Sequence, residues 1–176
     1  MRRSNLKAAI IGATLLVFVC VFAGDLKWMD NFEDAKKTAA KKENKYIVAN
    51  FSGSDWCSWC ITLDKEVFNT SEFKKYADEN LILFMADFPR TKEQSIAMKD
   101  QNVRLMDKYQ VFGFPTVLLL TSNGEVVFTT GYQKGGPKPY IESLKKAINS
   151  YAAKKFVKKL NKPKLIIKSV TDAPQK

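Results

Sequence analysis

The sequence predicts an α/β domain in which a central mixed β-sheet is flanked by helices on both faces. Three observations carry this. Apolar runs of strand length alternate with segments of helical spacing through the first two thirds of the chain. Two further apolar runs then flank Ser122-Asn123-Gly124-Glu125, and Asn-Gly between such runs is a hairpin signal. A last amphipathic segment closes the pattern. Alternating α and β elements followed by an antiparallel pair require a mixed sheet covered on both sides.

Each element has its own signature. Phe32, Ala35, Ala39 and Ala40 recur at helical spacing, with Asn31 or Asp30 able to cap, so a helix is expected over about 31–43. Tyr46 to Phe51 reads as a buried strand, broken by Ser52-Gly53-Ser54-Asp55. Helical spacing resumes after Cys60 through Ile61, Leu63, Val67 and Phe68, pauses at Asn69-Thr70-Ser71, and restarts at Ser71-Glu72 toward Ala77. Leu81 to Ala86 is the next strand, ended by Asp87-Phe88-Pro89. A helix is expected over 92–109, with Ile96, Val103, Leu105, Met106 and Tyr109 as its apolar contacts. Gly113-Phe114-Pro115 is a turn, and 117–120 with 126–128 form the hairpin. Tyr140, Ile141, Leu144, Ala147, Ile148 and Tyr151 share one face of the final helix. Beyond about 153 this pattern decays into lysines, and Pro163 stops any helix. Leu165-Ile166-Ile167 reads as an added edge strand or a free end.

The formal charge of +11 belongs to the two ends. Residues 1–24 hold Arg2, Arg3 and Lys7 and no acid, and residues 151–176 hold eight lysines against Asp172. That leaves 29 − 3 − 8 = 18 basic and 18 − 1 = 17 acidic residues for 25–150, a nearly neutral body. This distribution points away from a nucleic-acid partner. The basic residues near the start precede an apolar stretch from Ala8 to Ala23, then small residues and Asp25. Residues 1–23 therefore read as a secretory signal peptide, cleaved after Ala23 or Gly24. The alternative is an uncleaved anchor, although the stretch falls short of the ~20 residues that span a bilayer. The expected location is outside the cytoplasm, periplasmic or secreted. The Lys-rich tail over 154–176 suits weak contact with an anionic membrane surface, or is a solvated helix end and free terminus.

Removing the signal would take Cys20 with it and leave two cysteines, Cys57-Ser58-Trp59-Cys60, in a compartment where disulfides persist. The chain has no histidine, so the commonest metal ligand and general base are both missing. A zinc site at this pair would need a second copy or carboxylates. A c-type haem site would need His where Ile61 stands. A dithiol at the start of a helix suits disulfide exchange, because one turn brings the sulfurs together. The first cysteine also meets free N–H groups and the positive end of the dipole, which lower its pKa below the ordinary ~8.5. Cys57 is then the attacking thiol and Cys60 the resolving one, with no metal and no cofactor. A structural disulfide is the competing reading, although so short a loop removes little unfolded-state entropy. Trp56 and Trp59 beside the pair suggest a contact surface, or for Trp56 simple packing against the first helix.

Strand, Trp56-Cys57-Ser58-Trp59-Cys60, helix, and then Gly113-Phe114-Pro115-Thr116 before a hairpin resemble thioredoxin over about residues 28–153. The resemblance implies a thioredoxin-like fold over 25–153 and thiol–disulfide exchange on cysteines of exported proteins, with a redox partner protein to recycle the dithiol. It implies a cis Pro115 against the cysteine pair, and a peptide groove shaped by Trp56, Trp59, Phe114 and Pro115. It also implies that Gly131 is the glycine after the hairpin, packed too closely for a side chain. Several positions depart from the pattern. Asn50 stands where the family carries a buried Asp, and Leu83 lies near the position of its partner Lys. Phe51 to Trp56 holds one extra residue, and the 92–109 helix is longer than usual. Asp55, Asp64 and Glu66 are the acids left to move protons. Ser58-Trp59 lacks the His of strong oxidants, which favours a reductant or isomerase-like role. The lead-in to the cysteines resembles exported bacterial thioredoxin-like proteins, including the C-terminal domain of the transmembrane disulfide reductase. A thioredoxin-fold binding module with an inert disulfide is the alternative from another functional class.

Overall fold

The computed structural model of the protein describes residues 26–42 and 45–161. Five strands form one sheet: β1 (Trp28–Met29), β2 (Tyr46–Ser52), β3 (Leu81–Asp87), β4 (Thr116–Leu120) and β5 (Val126–Thr130). Their order is β1-β3-β2-β4-β5. The first three run parallel, β4 is antiparallel to β2, and β5 is antiparallel to β4. The helices are α1 (Phe32–Lys41), α2 (Ser58–Leu63), α3 (Ser71–Asn80), α4 (Ile96–Lys108) and α5 (Pro137–Leu160), and a π-helical stretch, Asp64–Phe68, prolongs α2.

Strand alternation divides the core in two. On β2, Ile47, Ala49 and Phe51 face the cluster under α1 and α4, with Phe32, Phe84 and Leu105. Val48 faces the other cluster, with Leu63, Phe68, Phe73, Tyr140 and Leu144 under α2, α3 and α5. The same period of two sends Asn50 and Ser52 to the second face, the one that carries the cysteines.

Side-chain caps set the helix starts. Asn31 Oδ1, Thr70 Oγ1 and Ser95 Oγ accept from the backbone N–H groups of Asp34, Phe73 and Met98. The Ser95 cap corrects the expected start of the 92–109 helix. Residues 92–95 form a loop instead, in which Lys92 Nζ donates to Ser54 Oγ and Gln94 Nε2 to the Asp87 carbonyl. Two of that helix's expected apolar contacts also fail, for Ile96 and Val103 face solvent. The buried turn is built from Leu105 and from Asn102, which donates to the Asp87 carbonyl. Met106 and Tyr109 do pack on the core.

β1 has no counterpart in the sequence reading, since two residues are too short to show a period. The hairpin connection spans Thr121 to Glu125, with Gly124 at φ 82°, where a side chain would be strained. α5 runs to Leu160, past the expected boundary at 153. The signal-like segment 1–23 and Leu165-Ile166-Ile167 lie outside the described residues.

Tyr140 is fully buried, and its hydroxyl has no hydrogen-bond partner among the described residues. Burial pushes its pKa far above the usual tyrosine value. An unpaired buried hydroxyl costs about 1–3 kcal/mol. Tyr140→Phe is therefore expected to leave stability unchanged or raise it by about 1 kcal/mol in urea denaturation. A clear loss would show that the hydroxyl has a partner in the folded protein.

Candidate redox site

β2 delivers the chain into a loop whose turns set up the next helix. The Trp56 and Cys57 N–H groups both donate to the Gly53 carbonyl, which reverses the chain. Cys57 is then the N-cap of α2, and its Sγ accepts the Cys60 N–H at 3.2 Å. Cys57 and Cys60 are joined as a disulfide, with Cα atoms 5.2 Å apart. Both are buried, Cys60 the more deeply. A thiolate on Cys57 would keep this N–H bond at the positive end of the helix, two effects that favour the ionised sulfur.

The loop is bound to the end of β3. The Phe88 N–H donates to the Ser52 carbonyl, and Asp87 accepts from Ser54 through both the backbone N–H and the hydroxyl. Asp55 accepts from the backbone N–H groups of Arg90, Thr91 and Lys92 and from the Thr91 hydroxyl. Those bonds hold its carboxyl well below the usual range, so it stays ionised and occupied.

Two aromatic groups adjoin the disulfide. Trp56 donates its indole N–H to the Phe88 carbonyl at 2.8 Å and lies beneath the Arg90 guanidinium at 4.0 Å. Phe114 meets Trp56 edge-on at 6.0 Å and stacks on Phe88 at 5.0 Å. Trp56 thus packs against the β3 end and the Pro115 loop, not against α1. A Cβ on Gly53 would fall 2.4 Å from the indole, so glycine leaves the room this placement needs. In the other group, Trp59 stays 59% exposed and stacks on Tyr132, whose hydroxyl donates to Glu66 at 2.6 Å.

The Phe114–Pro115 peptide is cis. A Cβ on Gly131 would lie 2.8 Å from the Pro115 carbonyl oxygen, so the hairpin's end closes directly on this segment. Sequence reasoning missed Phe88, Arg90 and Tyr132. Only the position of Phe88 at the cysteine end of β3, and of Tyr132 beside Gly131, could have flagged them.

Behind Cys60 lies a cleft of about 420 Å³ lined by Asn50, Ser52, Asp64, Asn69 and Met85 among others. Asn50 is buried; its amide nitrogen lies 3.6 Å from Met85 Sδ, and its Oδ1 has no partner among the described residues. Asp64 borders the same cleft. Burial raises its pKa, opposed by a hydrogen bond from Asn69 and by the charge of Lys74. Of the three acids considered, Asp55 is committed to the 90–92 loop, Glu66 accepts from Tyr132, and Asp64 borders the cleft behind Cys60.

A helix-capping cysteine disulfide-bonded one turn onward, on a mixed sheet with Phe114 of a cis Phe114–Pro115 pair against Trp56, defines a protein of the dithiol–disulfide class. The chain belongs to the thioredoxin-like domain family, whose profile matches residues 32–148. It is 31% identical over 128 residues to the disulfide bond reductase DsbH of Chlamydia pneumoniae, covering 73% of this chain and 76% of that one. It is 24% identical over 140 residues to the thioredoxin-related protein DsbJ of the same organism, spanning 40% of that longer chain. The solved structure of a DsbH oxidoreductase superposes with a TM-score of 0.70 at 28% identity, over 84% of this chain and 95% of that one.

Gly131→Ala drives its new methyl against a backbone carbonyl that cannot swing aside. It is expected to cost about 1–3 kcal/mol of stability, as overpacking does. Thermal melting of the oxidised protein checks this, and an unchanged Tm would mean that the Pro115 segment yields freely.

Proposed function

We propose that this chain is a thiol–disulfide oxidoreductase that reduces or reshuffles disulfides in exported proteins outside the cytoplasm. The observation that carries the reading is the unequal placement of the two sulfurs. Cys57 caps the helix where N–H groups stabilise a thiolate, and Cys60 lies deeper, against the cleft that Asn50 and Asp64 line.

The reaction follows from that placement. The Cys57 thiolate attacks one sulfur of a substrate disulfide. The substrate S–S bond breaks, a Cys57–substrate disulfide forms, and the departing thiolate takes up a proton. Cys60 then loses its proton and attacks Cys57 Sγ. The mixed disulfide breaks, the Cys57–Cys60 bond forms, and the second substrate thiol leaves. Two electrons pass to the substrate, and a partner dithiol protein supplies two others that reduce the Cys57–Cys60 bond as its own thiols become a disulfide. Trp56 and Phe114 on one side and Trp59 on the other shape the groove, with Pro115 at its floor. The kinship with a disulfide bond reductase and the missing His between the cysteines both favour the reducing direction.

Asp64 is the acid we assign to the Cys60 proton. It borders the same cleft and keeps its own proton to a higher pH than an exposed carboxyl. Asn50, uncharged at every pH, cannot perform this transfer.

Cys57→Ser should abolish insulin reduction, and Cys60→Ser should accumulate mixed disulfides with cysteine-containing targets. The pair's potential is expected nearer the about −270 mV of thioredoxin than the about −120 mV of a strong oxidant. A potential below about −300 mV without turnover would mark a structural disulfide, leaving a binding module.

Asp64→Asn is expected to slow turnover about a hundredfold, the lower end of the usual range for lost proton transfer. It should not lower Tm at pH 7. Burial lifts this carboxyl's pKa above its unfolded value, so its protonated form favours the fold and that advantage fades as pH rises through the folded pKa. The amide escapes that penalty. Unchanged turnover across the acid limb of the pH profile would remove Asp64 from the reaction.

A further inference from the structure

α5 changes the polarity of its faces partway along. Through Tyr151 it is an ordinary surface helix: Tyr140, Ile141 and Leu144 are buried, Ala147 and Ile148 pack beside them, and Tyr151 donates to Glu125. The opposite face carries Lys138, Glu142, Lys145, Lys146 and Asn149, all exposed. At about 100° per residue, Ala153, Phe156, Val157 and Leu160 continue that outer face, while Lys155, Lys158 and Lys159 continue the inner one. The structure agrees. Lys155 and Lys159 line a cleft with Lys45, Tyr46 and Tyr151; Phe156 reaches its edge yet stays 62% exposed, and Val157 and Leu160 are 53% and 66% exposed. The last turns of α5 therefore present an apolar stripe away from the body, edged by Lys154 on one side and Lys159 on the other.

We propose that this end of α5 is an interfacial helix that seats Phe156, Val157 and Leu160 in an anionic phospholipid surface. An exposed apolar stripe opposite a lysine-rich face is the pattern of helices that lie in a membrane interface. Charge decides among the occupants. Four lysines and no acid lie between 153 and 160, so a second copy would set like charges against like, and the chain beyond, with Lys162 and Lys164, is basic too. Anionic headgroups reverse the sign of that interaction. Shape points the same way, since a convex ridge without a groove suits a fluid surface that deforms around it. No helix among the described residues is long and apolar enough to cross a membrane, so this contact lies on the surface.

The test is amide hydrogen exchange of the full chain, read at residues 153–160, with phosphatidylglycerol or phosphatidylcholine vesicles. This local readout is separate from any insertion by the apolar N-terminal segment. Phosphatidylglycerol should slow exchange there by about tenfold or more. Phosphatidylcholine should do so far less, and so should high salt, which shrinks the Debye length to a few ångströms. The double variant Phe156→Ser, Leu160→Ser should lose the protection and keep insulin reduction, showing that its fold is intact. Equal exchange with and without phosphatidylglycerol, or protection that survives in the variant, overturns the proposal. Vesicle-independent protection overturns it in favour of a second copy if it grows with protein concentration, and of the chain's own tail if it does not.

Discussion

The site depends on one tie, between the loops that leave the two central strands. β2 and β3 are parallel and end level, with Ser52 opposite Asp87. Two parallel strands ending together leave two loops side by side with many unpaired backbone groups. Here Asp87 takes the donors of Ser54, and Asp55 takes those of residues 90–92. Asp87, at the end of β3, is satisfied by the loop after β2, and Asp55 in that loop is satisfied by the loop after β3, so neither loop can shift alone. The result is a fixed Trp56, a fixed Cys57 one residue later, and an aromatic wall running through Phe88 to Phe114.

The interior behind the cysteines is organised by a second constraint, the period of β2. A strand that puts Ile47, Ala49 and Phe51 into one core must put Val48, Asn50 and Ser52 toward the other face. Asn50 is therefore held beneath Cys60 whether or not its polar atoms find partners, and its Oδ1 finds none among the described residues. An Asp there could hold charge; an Asn cannot. Asp64, the acid proposed for the Cys60 proton, lies on the same cleft, where the π-helical stretch begins and side chains are redirected relative to a regular α-helix. That change of element suits a carboxyl that must reach the Cys60 side of the cleft.

Much of this was legible because local chemistry and global fold agree. The order of elements, the cysteines at a helix start and Pro115 before β4 follow from motifs whose physics is local, and the close approach at Gly131 from the family resemblance. What escaped had no local signature. Phe88, Arg90 and Tyr132 join the site through contacts with residues far along the chain, and no periodicity marks them. The helix expected from 92 starts at Ile96 because Lys92 and Gln94 bind the tied loops instead. Its apolar Ile96 and Val103 read as core in the sequence, yet Asn102 takes the buried position, because a carbonyl at the end of β3 needs a donor there. The end of α5 is hard to read in the sequence for a related reason. When apolar and basic residues exchange faces within one helix, the pattern looks like decay, although each half is ordered.

The two ends of β2 give this exchange of faces a consequence. Tyr46, at the start of the strand, lines the cleft under Lys155 and Lys159, and Ser52, at its end, leads into the cysteine loop. They are the first and last residues of a seven-residue strand, six steps or roughly 20 Å apart at about 3.3 Å per residue. A contact between the end of α5 and a lipid surface would therefore hold the molecule by the pole opposite its dithiol. The aromatic groove around Cys57 would then face away from the membrane, toward proteins in solution. A basic tail that wrapped the redox end would instead compete with substrates for the same exposed aromatics, so the lysines lie where they leave the groove free.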